Sequence, residues 1–460
     1  MNAKGRGFGF QKKRDNAVVE APPPPGLHVR QAAAAAIAEI IVNGRTLDER
    51  MAADEAAGRL TKMDARDRAL MRSIVTVALR RFGTIKVILA QLLERGLPKK
   101  GQALEWVLTA AAAQILFMDV PDHAAVDLAV HATKRDPATL PFASLVNGVL
   151  RNLARGKDEL LASVDPFADV PTWLAARWRK NWGETSAAAI AAMLQQEPTL
   201  DLSVKSDPEK WAEKLGGTVL PTGSVRLASH TAIADLEAYQ DGEWWVQDAS
   251  AALPARLLGV KAGESVVDLC AAPGGKTIQL ALAGAKVTAL DRSAERMKRL
   301  AANLQRVGVE ADLKVGDALT FEATTFDAIL LDAPCTSTGT IRRNPDAAWT
   351  KRASHIPVLA ATQSKMLDRA IHLLRPGGRL VYCTCSLEPE EGEAQVAALL
   401  RRNPDVERVP VLPEEIGGLS ACITPEGDVR TLPCHLPNPD PRMAGLDGFY
   451  MARLVRRVGG

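Results

Sequence analysis

Apolar residues are spaced in two different ways along this chain. From Leu27 to about Arg155 they recur every three or four positions, in VRQAAAAAIAEIIVNG, DARDRALMRSIVTVALRRFGTIKVILAQLLERG, ALEWVLTAAAAQILFM and HAAVDLAVHATKR, without strand-like alternation. That spacing predicts an all-helical unit, with Asp64 as an N-cap, Gly96 and Pro98 as a stop, and Pro121 in the turn before the next helix. From Ala262 onward, strand-length apolar runs (SVVDLC, KVTALD, DLKVGD, FDAILLDAP, RLVYCTCS) alternate with helical stretches such as SAERMKRLAANLQRVG and IPVLAATQSKMLDRAIHLLRPGG. This order predicts a doubly wound, Rossmann-like α/β sheet whose ligands sit beyond the carboxyl ends of parallel strands. Between the two, WLAARWRKNWG reads as a helix and shorter elements follow up to DGEWWVQDASAAL, a small α+β connecting module. The expected organisation is a tail and linker over 1–26, closing in the stiff APPPPG, then units at 27–160, 161–255 and 256–460.

Composition agrees with this division. A chain of 460 residues exceeds one ordinary core, at roughly 150 residues per domain. With 47% hydrophobic and 24% charged residues it has globular composition. The 6 cysteines form no evenly spaced disulfide framework and no secretory signal is evident, so reduced thiols and a cytoplasmic location are expected. No run reaches the ~20 apolar residues a bilayer span requires, so no membrane partner is expected. The net charge of +3 says little, but residues 1–165 hold 24 Lys and Arg against 18 Asp and Glu, and five of these positives are Lys4, Arg6, Lys12, Lys13 and Arg14. The first unit is thus nearly balanced behind a basic, disordered tail, which either grips phosphates or is a plain solvated end.

Candidate chemistry collects at strand ends. DLCAAPGGKT, Asp268 to Thr277, runs from a strand through a Gly-rich turn into a helix, where Gly274 and Gly275 allow close approach and the helix start offers free N–H groups. It is not a phosphate loop of the G-x-x-x-x-G-K-T type, because Cys270 stands where the first glycine would be. Asp291 closes the next strand, about 20 positions on, where an acid accepts ribose hydroxyls. Asp317 and Asp332 close the next two. Four such ends in a row predict a nucleoside crevice, and with Lys276 as its one basic group S-adenosyl-L-methionine fits better than a dinucleotide.

Two cysteines sit at further strand ends: Cys335 in DAPCTSTGTIRRNPDAAW and Cys385 in YCTCS. Neighbouring strands would bring both thiols to one side of the crevice. Arg342 and Arg343 behind Cys335, and a helix start behind Cys385, would favour thiolates, while the glutamates of EPEEGE oppose this. Methylating an unactivated pyrimidine carbon requires a thiolate on C6 to make C5 electron-rich, then loss of the C5 proton and of the thiol, which gives two thiols two separable jobs. Asp332 is placed to stabilise charge at the N3 and amine edge of cytosine. Spacing does not say which cysteine attacks. Cys270, Cys383, Cys422 and Cys434 read as small core residues. Zinc would need Cys383 and Cys385 to meet Cys422, Cys434 and His435, and no metal is expected. Arg177, Arg179 and Lys180 among Trp173, Trp178 and Trp182 are either an RNA-facing stripe or a packing face.

DLCAAPGGKT, ALDRS, VGDA, DAPCTSTGTIRRNPDAAW, YCTCSLEPEEGE and DGFYMARL, in this order over about 200 residues, together resemble the RNA (cytosine-C5) methyltransferases of the Sun/Fmu type. DRALMRSIVTVALRR, MDVPDHAAVDLAV and LVNGVLRNLAR resemble the NusB-like RNA-binding domain fused to the bacterial small-subunit members. The resemblance implies a class I methyltransferase domain that holds S-adenosyl-L-methionine through Cys270, Ala271, Ala272, Pro273, Gly274, Gly275, Lys276, Asp291, Asp317 and Asp332. It also implies that Cys385 is the nucleophile and that Cys335 assists release of the methylated base. CTSTGT departs from the Ser-Gly that many members carry after the cysteine. The partner so implied is 16S rRNA or a small-subunit assembly intermediate; a monomer is the default expectation, on which the sequence itself is silent. The competing readings are a tRNA cytosine-C5 methyltransferase and a non-catalytic RNA-binding assembly factor.

Overall fold

A computed structural model describes residues 22–61, 63–99, 101–228 and 233–458. The basic-tail expectation falls on residues 1–21, outside the described ones. Eight helices pack first: α1 (Leu27–Asn43), α2 (Leu47–Ala56), α3 (Ala65–Arg80), α4 (Phe82–Leu92), α5 (Leu104–Phe117), α6 (Asp122–Arg135), α7 (Ala143–Arg155) and α8 (Lys157–Ala162). Their apolar stripes meet in one core around Ile37, Ile74, Ile85, Leu108 and Leu150. Asp64 caps α3, accepting from Asp67 N at 2.7 Å, and Pro121 directly precedes α6. The long helix predicted across Arg81 is broken there. Gly83 lies so close to the chain at 168–169 that a Cβ on it would meet the Ala168 carbonyl oxygen at 1.6 Å. Thr84 N and Oγ1 donate to Asp169, both at 2.8 Å, so α4 takes its N-terminal acceptor from a distant turn.

The connecting part holds α9 (Thr172–Leu194) and a four-stranded sheet of β1 (Leu200–Val204), β2 (Gly217–Val219), β3 (Val225–Leu227) and β4 (Trp244–Val246), ordered β2-β3-β1-β4, with α10 (Pro208–Leu215) packed on it. The Trp and Arg residues of α9 form a packing face. Trp178 is fully buried and donates to Glu388 at 3.3 Å, Arg177 pairs with Glu388 and Glu390, and Arg179 stacks on Phe167.

After α11 (Leu253–Leu258) come β5 (Ser265–Leu269), α12 (Gly275–Leu282), β6 (Lys286–Asp291), α13 (Ala294–Val307), β7 (Asp312–Val315), β8 (Phe326–Asp332), α14 (Asp346–Thr350), α15 (His355–Leu373), β9 (Leu374–Thr384), α16 (Glu393–Arg402), β10 (Val406–Arg408), β11 (Val429–Thr431) and β12 (Phe449–Arg456). The sheet order is β10-β12-β9-β8-β5-β6-β7, parallel from β7 through β9, with β12 antiparallel beside β9. Chain order reverses between β5 and β8, the switch point at which a doubly wound sheet opens a crevice. Two cores, around Leu331 and Tyr382 and around Leu330 and Val381, cover the two faces, as the alternation along β8 and β9 requires. β7 departs from the expected buried run: it is an edge strand with all four residues exposed.

Candidate active site

β8 and β9 end in step. Asp332 pairs with Cys383 in the parallel register, and Ala333 N donates to the Cys383 carbonyl at 3.0 Å. Beyond this last rung the two chains remain joined, Gly339 N donating to the Cys385 carbonyl at 3.0 Å. The result brings the Sγ atoms of Cys335 and Cys385 to 3.4 Å, two free thiols in contact. Cys335 is buried and Cys385 half-buried. Ser337 Oγ lies 3.6 Å from Cys385 Sγ and 4.0 Å from Cys335 Sγ. The hydrogen bond to Cys385, then burial, pushes the Cys335 thiol well up. Cys383, two residues before Cys385, is fully buried with Sγ 3.6 Å from Asp332 Oδ1, and burial beside that carboxylate pushes it up too.

At the neighbouring strand end, Cys270 with φ 67° and Gly274 with φ 104° fold the turn back toward α13. A Cβ at Gly274 would also meet the Leu300 side chain at 2.9 Å, which leaves glycine the fitting residue. Lys276, at the start of α12, reaches across to Asp332 Oδ2 at 2.7 Å and lies over the Phe449 ring. Burial pulls its pKa down, but the Asp332 charge outweighs this and holds the ammonium. Asp268, in β5, binds Thr277 Oγ1 through Oδ2 at 2.6 Å, while its Oδ1 is buried without a partner. Burial lifts this carboxyl to about 7.

Two cavities meet here. One of about 440 Å³ lies against Cys270, Ala271, Ala272, Pro273, Gly275 and Lys276, and is closed by Asp268, Asp332, Trp245 and Gln247. The other, about 890 Å³, is a cleft between the sheet and the helical half, walled by Cys385, Ser337 and Arg343 on one side and by Thr46, Arg72 and Arg80 on the other. Ala272, Pro273 and Asp332 belong to both.

Not every expected residue faces these spaces. The Asp291 carboxylate is buried beneath the turn, where it accepts from Ala272 N and Ser293 N and pairs with Arg296 at 3.1 Å. Asp317 is exposed at the end of β7, accepting from Leu319 N. Arg342 and Arg343 do not serve the thiols as expected. Arg342 donates to the Ala444 carbonyl, and Arg343 is taken by Asp248 at 2.5 Å and Asp447 at 3.0 Å. Cys422 Sγ lies 3.1 Å from His435 Nδ1, which also accepts from Leu432 N. Among the described residues no group of three or more His, Cys, Asp or Glu is arranged around a metal position, and no helix is long and apolar enough to cross a membrane.

Asp268 and Gln247 had no role in the sequence reading, and Glu391 figured there only among the EPEEGE glutamates set against a thiolate. Asp268 was visible as an acid inside an otherwise apolar strand. Nothing singled out Gln247 or Glu391, because the partners that place them at the site, Ser203 and Gln279 for the one and Thr336 and Gln363 for the other, lie in distant segments.

Residues 255–455 match the 16S rRNA methyltransferase RsmB/F family, and residues 27–155 match the NusB family. Ribosomal RNA small subunit methyltransferase B of Cronobacter sakazakii is 33% identical over 94% of this chain and 99% of its own. The protein of that name from Xylella fastidiosa strain 9a5c is 36% identical over 93% and 100%. The crystal structure of PH0851 shares the fold, with a TM-score of 0.70 at 24% identity over 94% of this chain and 99% of that one.

Proposed function

This chain belongs to the 16S rRNA methyltransferase RsmB/F family, and we propose that it transfers a methyl group from S-adenosyl-L-methionine to C5 of a cytosine in 16S rRNA through a covalent adduct. The observation that carries this reading is the pair of thiols 3.4 Å apart, Cys385 at the wall of the cleft and Cys335 buried behind it, beside the Asp332–Lys276 pair.

The wall of the smaller cavity fits the cofactor. The unpartnered Asp268 Oδ1 calls for a donor such as an α-ammonium group, and the turn from Cys270 to Lys276 supplies backbone groups and close approach. These residues with Asp332 would hold the amino-acid end. Asp291 and Asp317, at the next two strand ends, would take the nucleoside. The bound cofactor supplies an electrophilic methyl group on a sulfonium.

The target base enters from the larger cleft, which Cys385 lines and Cys335 does not. The raised Cys335 thiol keeps its proton, and Cys385, the sulfur open to the cleft, is the nucleophile. Its attack forms the S–C6 bond, breaks the C5=C6 double bond and places electron density on C5, with the cytosine N3 and amine edge toward Asp332 and the Lys276 ammonium beside it. Once C5 carries the methyl group, its proton passes to solvent in the cleft, which restores the double bond and expels the Cys385 sulfur; Cys335 protonates that leaving group and is reprotonated from the same solvent. The NusB family domain offers the second surface for rRNA.

The test incubates the protein, Cys385→Ala and Cys335→Ala with undermodified 16S rRNA, with tRNA as a control, and labelled S-adenosyl-L-methionine. 5-Methylcytosine is then mapped and denaturing gels report trapped complexes. Expected are rRNA-specific label, its loss in Cys385→Ala, and an accumulating RNA adduct in Cys335→Ala. The opposite pattern would make Cys335 the nucleophile, and label on tRNA alone would move the substrate.

A further inference from the structure

We propose that Glu391 is a positioning residue for both thiols: its buried carboxylate clips the loop carrying Cys335 to the strand end carrying Cys385 and so holds the two sulfurs facing one base. The proposal rests on the two-cysteine reading for its chemistry, but its geometry stands apart from it.

Glu391 lies in the turn between β9 and α16 and is fully buried. Its oxygens accept from Thr336 N at 3.0 and 3.2 Å and from Thr336 Oγ1, the residue next to Cys335. They also accept from Ser386 Oγ at 2.6 Å, the residue next to Cys385. Gln363 Nε2 of α15 donates to it at 3.1 Å, and the same amide nitrogen donates to the Pro334 carbonyl at 2.9 Å, one residue before Cys335 on the other side. The Glu391 carbonyl meanwhile accepts from Tyr382 Oη at 2.7 Å and Thr384 Oγ1 at 3.3 Å, fixing the clip to β9 itself.

A single carboxylate thus touches the chain neighbours of both cysteines. The two loops belong to strands that stop pairing at Ala333, and the carboxylate joins them at the thiols' own neighbours, alongside Gly339 N on the Cys385 carbonyl, Leu387 N on Thr338 Oγ1 and the Thr336 and Thr338 hydroxyls at Ser386 Oγ. A purely structural glutamate would be served by any set of donors, whereas these come from the residues flanking the two thiols. Its negative charge beside Cys335 also favours the protonated thiol there, in keeping with a proton donor at that position. Reacting groups displaced by about 1 Å can lose on the order of 100-fold in rate, so such a clip bears on turnover rather than on RNA affinity.

The experiment measures the sulfur pair directly, by bridging Cys335 to Cys385 with dibromobimane in the full-length protein. Peptide mapping locates the bridge, and Cys335→Ala and Cys385→Ala serve as blanks. In Glu391→Ala the bridging rate is expected to fall about tenfold or more, and kcat for rRNA methylation with it, while KM for RNA stays within about twofold. Glu391→Gln, which keeps an oxygen for Thr336 N, should fall between the two. If Glu391→Ala does not fold, Glu391→Gln and Thr336→Val carry the same comparison, with each expected to slow bridging. Bridging and kcat unchanged in a folded variant would overturn the proposal. Slower bridging together with methylation that survives Cys385→Ala would retain the clip and remove the two-cysteine chemistry instead.

Discussion

Asp268 stands inside the β5 strand with burial holding its pKa at about 7. In the unfolded chain the same carboxyl ionises near about 3.9, so over the interval between these values the unfolded chain releases a proton that the folded chain keeps. The stability contributed by the neutral carboxyl is therefore complete below about pH 4 and lost as pH rises toward about 7, by about 4 kcal/mol at most. Asp268→Asn removes the titration. Its melting temperature, compared with the unmodified protein, is expected to gain progressively from about pH 4.5 to about pH 7 and then level off. Its affinity for S-adenosyl-L-methionine should fall about tenfold, since the oxygen assigned to the ammonium is gone or turned. A melting difference flat in pH would place the Asp268 pKa at its ordinary value. At this scale the sequence told a good deal. Cys335, Cys385, Asp332 and the turn from Cys270 to Lys276 were all recognisable as a group, because strand ends in a parallel sheet must lie side by side. Which partner each side chain takes was not. Arg342 and Arg343 follow Cys335 in the chain, yet acids from three distant segments, Asp201, Asp248 and Asp447, draw Arg343 away from it.

Among the elements, the boundary between α3 and α4 shows where local reading stops. The apolar spacing continues without interruption through Arg80, Arg81 and Phe82, and Gly83, a single glycine inside a helical pattern, is too weak a signal to end it. The break is imposed from outside, by the turn at 168–169 pressing on Gly83 and by Asp169 accepting from Thr84. Asp169 is nearly buried and Arg81 lies 3.3 Å from it, so the carboxylate serves the start of α4 and a guanidinium together. Asp169→Ala is expected to cost about 2–4 kcal/mol, from two lost hydrogen bonds and a partly buried arginine without its counter-charge. Chemical denaturation followed by helical circular dichroism measures this. A change below about 0.5 kcal/mol would mean that packing at Gly83 alone sets the break. β8 and β9 are the opposite case. Their apolar runs were legible, and parallel pairing in the predicted order put their ends together without help from any single residue.

For the whole molecule, the question is how the helical half is held against the sheet that carries the thiols. The segment leaving Cys335 provides the link. Arg80 donates to the Arg342 carbonyl at 3.1 Å, Leu47 N to Asp346 at 3.4 Å, and Trp349 Nε1 to the Leu79 carbonyl at 2.7 Å. The Trp349 ring meets Phe82 edge to face at 5.0 Å and packs on the helical core. Composition and spacing separated the two halves correctly in kind, but Trp349 belonged to a motif of the second half, and nothing in its neighbourhood marked it as the anchor of the first. The same stretch therefore reaches from the proposed chemistry to the helices that wall the cleft. Trp349→Ala removes a hydrogen bond at the end of α3 and an aromatic contact, worth about 2–3 kcal/mol together for a half-buried ring. The expected result is a calorimetric trace that splits, with the helical half melting first, and a rise in KM for 16S rRNA larger than any fall in kcat, because the thiols remain in place while one wall of the cleft swings free. Small-angle scattering should show the variant expanded. If the protein still melts in one transition and KM is unchanged, the remaining contacts between the halves suffice to hold the cleft, and the Trp349 contact is local packing rather than the joint between rRNA binding and chemistry.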